Sequence, residues 1–144
     1  MNKIMHAAIL STLLTAGTAL PAIAAADTKV LDHHVANMKS GNLEGVLSDY
    51  SPDAVVVTPA GMITPDGVFV GAEARKLFSV LTDKDHLPGN KTMQTRYQSA
   101  GADTSVMQWV QFKGTPKEVS GYDVFVVRGG KVVFQTVIVN PAKK

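Results

Sequence analysis

The feature that most constrains this sequence is a pair of almost uninterrupted apolar runs near its end. Val124, Phe125, Val126 and Val127 are followed, across Gly129 and Gly130, by Val132, Val133 and Phe134. The Gly-Gly connection predicts a tight β-hairpin. An antiparallel strand with one wet face alternates apolar and polar residues, and these two do not. Both faces of the sheet they enter must therefore be covered. Upstream helices can cover one face. A second copy of the chain is expected on the other, which makes a homodimer through the outer sheet face.

The rest of the chain fits that hairpin. Residues 92–99 and 105–112 read as two further strands, with 119–128 and 131–139 forming the hairpin itself. Turn residues at Gly101, Ala102 and Asp103, and at Gly114, Thr115 and Pro116, separate them. Upstream, Val30, Leu31, His34, Val35 and Met38 recur at helical spacing, so residues 28–40 are expected to form a helix. Asp27 or Thr28 is placed to cap it, and Gly41-Asn42 to end it. A short helix is expected from Leu43 to Tyr50, then a break at Ser51, Pro52 and Asp53, where Asp53 caps a turn. Residues 54–58 and 68–70 read as strands, and residues 71–81 as a third helix. Helices first and an antiparallel sheet afterwards is the α+β pattern.

Composition removes whole classes of function. The 144 residues contain no cysteine, which excludes disulfides, thiol catalysis and Cys-ligated zinc. A net charge of +2 with no long Lys/Arg cluster gives no reason to expect a nucleic-acid partner. No metal-binding spacing, nucleophile elbow or phosphate loop occurs, so no metal and no cofactor are expected. Residues 1–26 read as a secretory leader, the alternative being a transmembrane anchor, for which the apolar run is short. A basic start at Lys3 precedes an apolar run to Leu20, then Pro21 and the small residues up to Ala26. Residues 27–144 are expected to be one exported domain, periplasmic or secreted, with no membrane partner after cleavage. Asn90, Lys91 and Thr92 match a glycosylation triplet, a pattern that also arises by chance.

The order of elements resembles the nuclear-transport-factor-two-like superfamily, in particular its SnoaL-like and ketosteroid-isomerase-like branch. The resemblance rests on Asn37 to Leu47 with Gly41-Asn42 at its centre, on Tyr50 to Gly61, and on Gly67 followed by Gly71 before a helix. It runs from about Lys29 to Asn140. It implies a cone-shaped, strongly curved antiparallel sheet wrapped around N-terminal helices, with an apolar pocket. It does not imply an activity, because this fold hosts isomerases, dehydratases, cyclases and proteins that only bind.

The same resemblance tests one activity. Ketosteroid isomerases use an aspartate base on the first strand, with a tyrosine and a protonated acid as oxyanion donors, a worked case of pKa tuning. In this chain the base falls on Thr58, the tyrosine on His34 and the acid on Asp123. A threonine hydroxyl is no useful base near neutral pH, so steroid isomerisation by that route is not expected.

His34 and Asp123 remain as candidate catalytic residues. His34 lies on the apolar stripe of the first helix, and Asp123 shares strand parity with Phe125 and Val127. If both enter one pocket, the carboxylate would fix the imidazole tautomer and raise its basicity. The alternative is a buried histidine that braces helix against sheet. His33 points roughly 100° away around the helix and cannot share a metal with His34. His86 lies in a polar loop. Met38, Phe78, Trp109, Phe125 and Thr58 are the expected ligand-contacting residues. Trp109, alternating with Met107, also suits core packing or an interface.

Three functions follow. The first is binding of a small apolar or amphipathic molecule in the pocket. The second is proton-transfer chemistry of isomerase, dehydratase or cyclase type through His34 and Asp123. The third is protein interaction through the outer sheet face.

Overall fold

The computed structural model describes residues 28–141. The leader expected at residues 1–26 lies outside the described residues. Helix α1 (Lys29–Ser40) buries Leu31, His34, Val35, Asn37 and Met38. Gly41 ends it in the left-handed region at φ 72°, where a side chain would be strained. The Gly41 N–H donates to Met38 O and the Asn42 N–H to Asn37 O, which satisfies the last carbonyls. The Asn42 side chain then accepts from Gly45 N at 3.1 Å and starts α2 (Leu43–Ser48).

Strand β1 (Tyr50–Val57) pairs antiparallel with β2 (Val68–Val70). A 3-10 turn over Gly71–Glu73 leads into α3 (Ala74–Leu81), and a second one over Pro88–Thr92 precedes β3. Strands β3 (Gln94–Ser99), β4 (Thr104–Gln111), β5 (Val119–Arg128) and β6 (Lys131–Val139) complete a six-stranded sheet in the order β2-β1-β6-β5-β4-β3. The sheet is curved and unclosed. The expected α+β class and hairpin over Gly129-Gly130 are present.

Two details differ from the sequence reading. The sheet is antiparallel except where β1 lies parallel to β6. The break expected at Ser51, Pro52 and Asp53 is part of β1 instead. Proline has no N–H for a ladder, and it is tolerated here because the β1–β6 register shifts between Tyr50 and Val55.

One core joins the layers. Leu31 and Val35 of α1, Val46 of α2 and Leu77 and Phe78 of α3 pack with Val56, Phe69, Met107, Phe125 and Val132 of the sheet. Fully burying each such side chain contributes about 1.5–3 kcal/mol.

Candidate functional site

A cavity of about 390 Å³ lies between α1, α3 and the inner face of β4, β5 and β6. Its wall is mostly apolar, with Val35, Ile63, Leu81 and Val137 among the lining side chains. Met38, Met62, Met93 and Met107 all line it, and these are the only methionines after the proposed leader. Unbranched thioethers adapt to irregular ligands and make favourable contacts with aromatic rings. Met62, Val80, Leu87 and Val139 both line the cavity and are exposed, so the mouth is apolar as well.

One wall carries a polar chain. Asp123 is buried in β5, and its Oδ1 accepts from Trp109 Nε1 at 2.8 Å. Its Oδ2 accepts from Gln135 Nε2 at 2.8 Å. Gln135 Oε1 accepts a short hydrogen bond from the Tyr50 hydroxyl. The Tyr50 oxygen stands 3.5 Å from His34 Nδ1, the long limit of a hydrogen bond. These bonds have one direction. An ionised carboxylate only accepts, so the Gln135 amide must face it with nitrogen and face Tyr50 with oxygen. The single Tyr50 proton is thereby used, and its oxygen can only accept from His34 Nδ1–H. Nε2 is left as the ring's acceptor.

Strand register builds this chain. Trp109 pairs with Gly121, and Met107 with Asp123, so Trp109 and Asp123 are diagonal neighbours on the inner face. A Cβ at Gly121 would stand 2.4 Å from the Trp109 ring and 2.1 Å from Ile138 O. Glycine there lets the indole lie across β5 and reach the carboxylate. Gln135 pairs with Phe125, two residues along β5 from Asp123 and on the same face, so it is Asp123's diagonal neighbour across the β5–β6 ladder.

Burial sets the charges. Desolvation pushes the Asp123 carboxyl up to about 6, although the bonds from Trp109 and Gln135 oppose that shift. Desolvation, with a smaller contribution from nearby His33, lowers His34 to about 4. Burial likewise raises Tyr50 well above the usual phenol range, with Asp123 and Asp49 adding to it. Near neutral pH the wall therefore presents a carboxylate and a neutral imidazole, and the Tyr50 phenol beside them, outside the lining, is neutral too.

The expected residues distribute unevenly. His34, Asp123, Met38, Phe78 and Trp109 all line the cavity. Thr58 and Phe125 do not. Thr58 is buried at the end of β1, its hydroxyl 3.4 Å from Gly67 O and from Pro59 O. Phe125 lies behind the wall, its ring edge-on to His34 at 5.7 Å between centroids. His34 and Asp123 do not touch. Tyr50 and Gln135 lie between them, and the imidazole is less basic than usual, the reverse of the expected effect. Tyr50, Gln135 and Gly121 were not singled out from sequence. His33 turns away to Asp49 at 2.6 Å, and His86 bonds Asp83 at 2.6 Å in an exposed loop. Asn90 is buried, donating to Leu81 O and accepting from Gln111, so the glycosylation triplet is not presented for modification. Among the described residues no group of three or more His, Asp or Glu side chains could hold a metal. No helix among them is long and apolar enough to cross a membrane.

An NTF2-like protein from Anabaena variabilis shares 21% identity at a TM-score of 0.59, over 78% of this chain and 85% of that one. A SnoaL-like protein of unknown function from Burkholderia thailandensis shares 17% at 0.59, over 79% and 94%. The fold is that of the NTF2-like proteins. TerC, co-crystallised with polyporic acid, has the same fold at 21% identity and a TM-score of 0.58, over 78% of this chain and 89% of its own. No protein-family model and no curated protein matches the sequence. The NTF2-like fold accounts for the curved, unclosed sheet.

Proposed function

We propose that this protein is an exported NTF2-like domain that binds a small apolar or amphipathic molecule in the cavity between α1, α3 and the sheet. The observation that carries this reading is the cavity wall, which is apolar except for the hydrogen-bonded chain at Asp123 and a separate Asn90–Gln111 amide pair. Such a wall suits a ligand with an apolar body and one polar group. The apolar rim at Met62, Val80, Leu87 and Val139 gives that body a path in. TerC, co-crystallised with polyporic acid, is an example of a small organic molecule accompanying this fold. Export rests on the leader anatomy of residues 1–26.

Proton-transfer catalysis by His34 and Asp123 has less support. The two groups are separated by a glutamine amide, which orients but does not exchange protons readily. Both Asp123 oxygens already accept N–H donors, an arrangement that suits an ionised acceptor better than an oxyanion-stabilising acid. Thr58 is turned toward backbone carbonyls rather than the cavity.

The outer sheet face supports homodimerisation as a companion reading. Val68, Val70 and Tyr122 are exposed there, and Val124, Val126 and Phe134 share that face by strand parity. A stable dimer would bury roughly 1,600 Å² in total.

Native mass spectrometry after incubation with a mixture of small hydrophobic compounds tests the binding reading. One-to-one adducts are expected, and they should be lost in Val137→Phe, which pushes a ring into the cavity from β6. Equal adducts in both proteins would refute it.

A further inference from the structure

The polar groups on the cavity wall also say which end of a ligand they take. This inference rests on the proposed binding role. Asp123 holds two N–H donors, from Trp109 and Gln135, and a carboxylate has about four acceptor positions. Acceptor capacity is therefore left over on an oxygen pair that lines the cavity. The one-way chain from His34 through Tyr50 and Gln135 to Asp123 leaves His34 Nε2 as an acceptor too. No Lys or Arg lines the cavity among the described residues, so nothing there balances the carboxylate or would pair with an anion.

We propose that the cavity selects apolar ligands whose polar end donates a hydrogen bond or carries positive charge, a hydroxyl or an ammonium group, and rejects the same apolar body with an anionic head. Recognition is by charge and donor complementarity to Asp123. A buried, unbalanced carboxylate gains most from a donor and loses most from a second anion, because the surrounding wall screens little. The elevation of the Asp123 pKa has the same physical origin, its desolvation without a compensating cation.

The test uses 1-decanol, decylamine and decanoate, three heads on one chain, titrated into the purified protein at pH 8. At that pH Asp123 is ionised, decylamine is cationic and decanoate is anionic. The single tryptophan, Trp109, lies in the cavity wall and reports occupancy by its fluorescence. Decylamine and decanol should bind at least about tenfold more tightly than decanoate, as an avoided like-charge contact of this kind predicts. Asp123→Asn should shrink the decylamine-to-decanoate ratio at least about tenfold, while decanol changes least. Decanoate binding as tightly as decylamine to wild-type protein would overturn the head-group proposal and leave the binding role standing. Binding of none of the three would instead remove the binding role, and this inference with it. If Asp123→Asn fails to fold, the ranking of the three probes on the wild-type protein still decides.

Discussion

Asp123→Asn should change the pH dependence of stability in the direction set by burial, which outweighs the opposing bonds from Trp109 and Gln135. In the folded protein the carboxyl titrates near 6, against 3.8 when unfolded. Between those values the folded state holds the proton and the unfolded state does not. The contribution of Asp123 to stability is therefore complete at acid pH and falls as pH rises from 3.8 to 6. The shift amounts to about 3 kcal/mol. His34 works the other way. Its folded value is about 4 against 6.5 unfolded. The unfolded state binds the extra proton in that window, so stability rises with pH from 4 to 6.5, again by about 3 kcal/mol. In wild-type protein the two contributions nearly cancel between pH 4 and 6. Removing one exposes the other. Urea unfolding of wild type and Asp123→Asn at half-unit pH steps gives the difference directly, and all other carboxylates drop out of it. Relative to wild type, Asp123→Asn should gain about 3 kcal/mol between pH 4 and 7, whatever its absolute stability. His34→Gln should lose a similar amount over pH 4 to 6.5. Differences that stay flat with pH would refute the claim that these groups are buried as described.

Gln135→Leu orphans the Tyr50 hydroxyl and removes a donor from Asp123, so it should cost about 2–4 kcal/mol by chemical denaturation despite its better hydrophobicity. Gly121→Val should displace the Trp109 ring and shift its emission, because the added carbon stands 2.4 Å from that ring; an unchanged spectrum would contradict the register argument. Sedimentation at high micromolar concentration should show a dimer, and Val70→Lys, which charges the outer face beside the exposed Val68, should weaken it; a strictly monomeric wild type would remove that interface. Purified protein should not convert a Δ5-3-ketosteroid, and efficient turnover would require a base other than Thr58.

Local patterns made most elements legible. The helical stripe that placed His34 inward, Gly41 at the end of α1 and the Gly129-Gly130 turn all depend on neighbours a few residues apart. What escaped depends on register. Counting back from the Gly129-Gly130 turn pairs Arg128 with Lys131 and Val127 with Val132, which would set Gln135 opposite Val124 on the outer face. The register shifts by one between Val126 and Val127, so Gln135 pairs with Phe125 and turns inward. The link between Asp123 and Tyr50 was invisible for that reason. Gly121 was missed because its role is to leave room for a ring on another strand. Phe125 has the inward parity expected of it, but His34 stands against it. Thr58 was placed by alignment to a catalytic position whose chemistry this chain does not keep.

Energy transfer from Trp109 to N-phenyl-1-naphthylamine tests the central claim most directly. The probe is neutral and apolar with one N–H donor, it absorbs where tryptophan emits, and the chain has one tryptophan, in the cavity wall. Saturable quenching of Trp109 at one probe per chain, abolished by Val137→Phe at unchanged thermal stability, is the predicted result. Quenching that does not saturate, or that survives the cavity-filling substitution, would contradict the account.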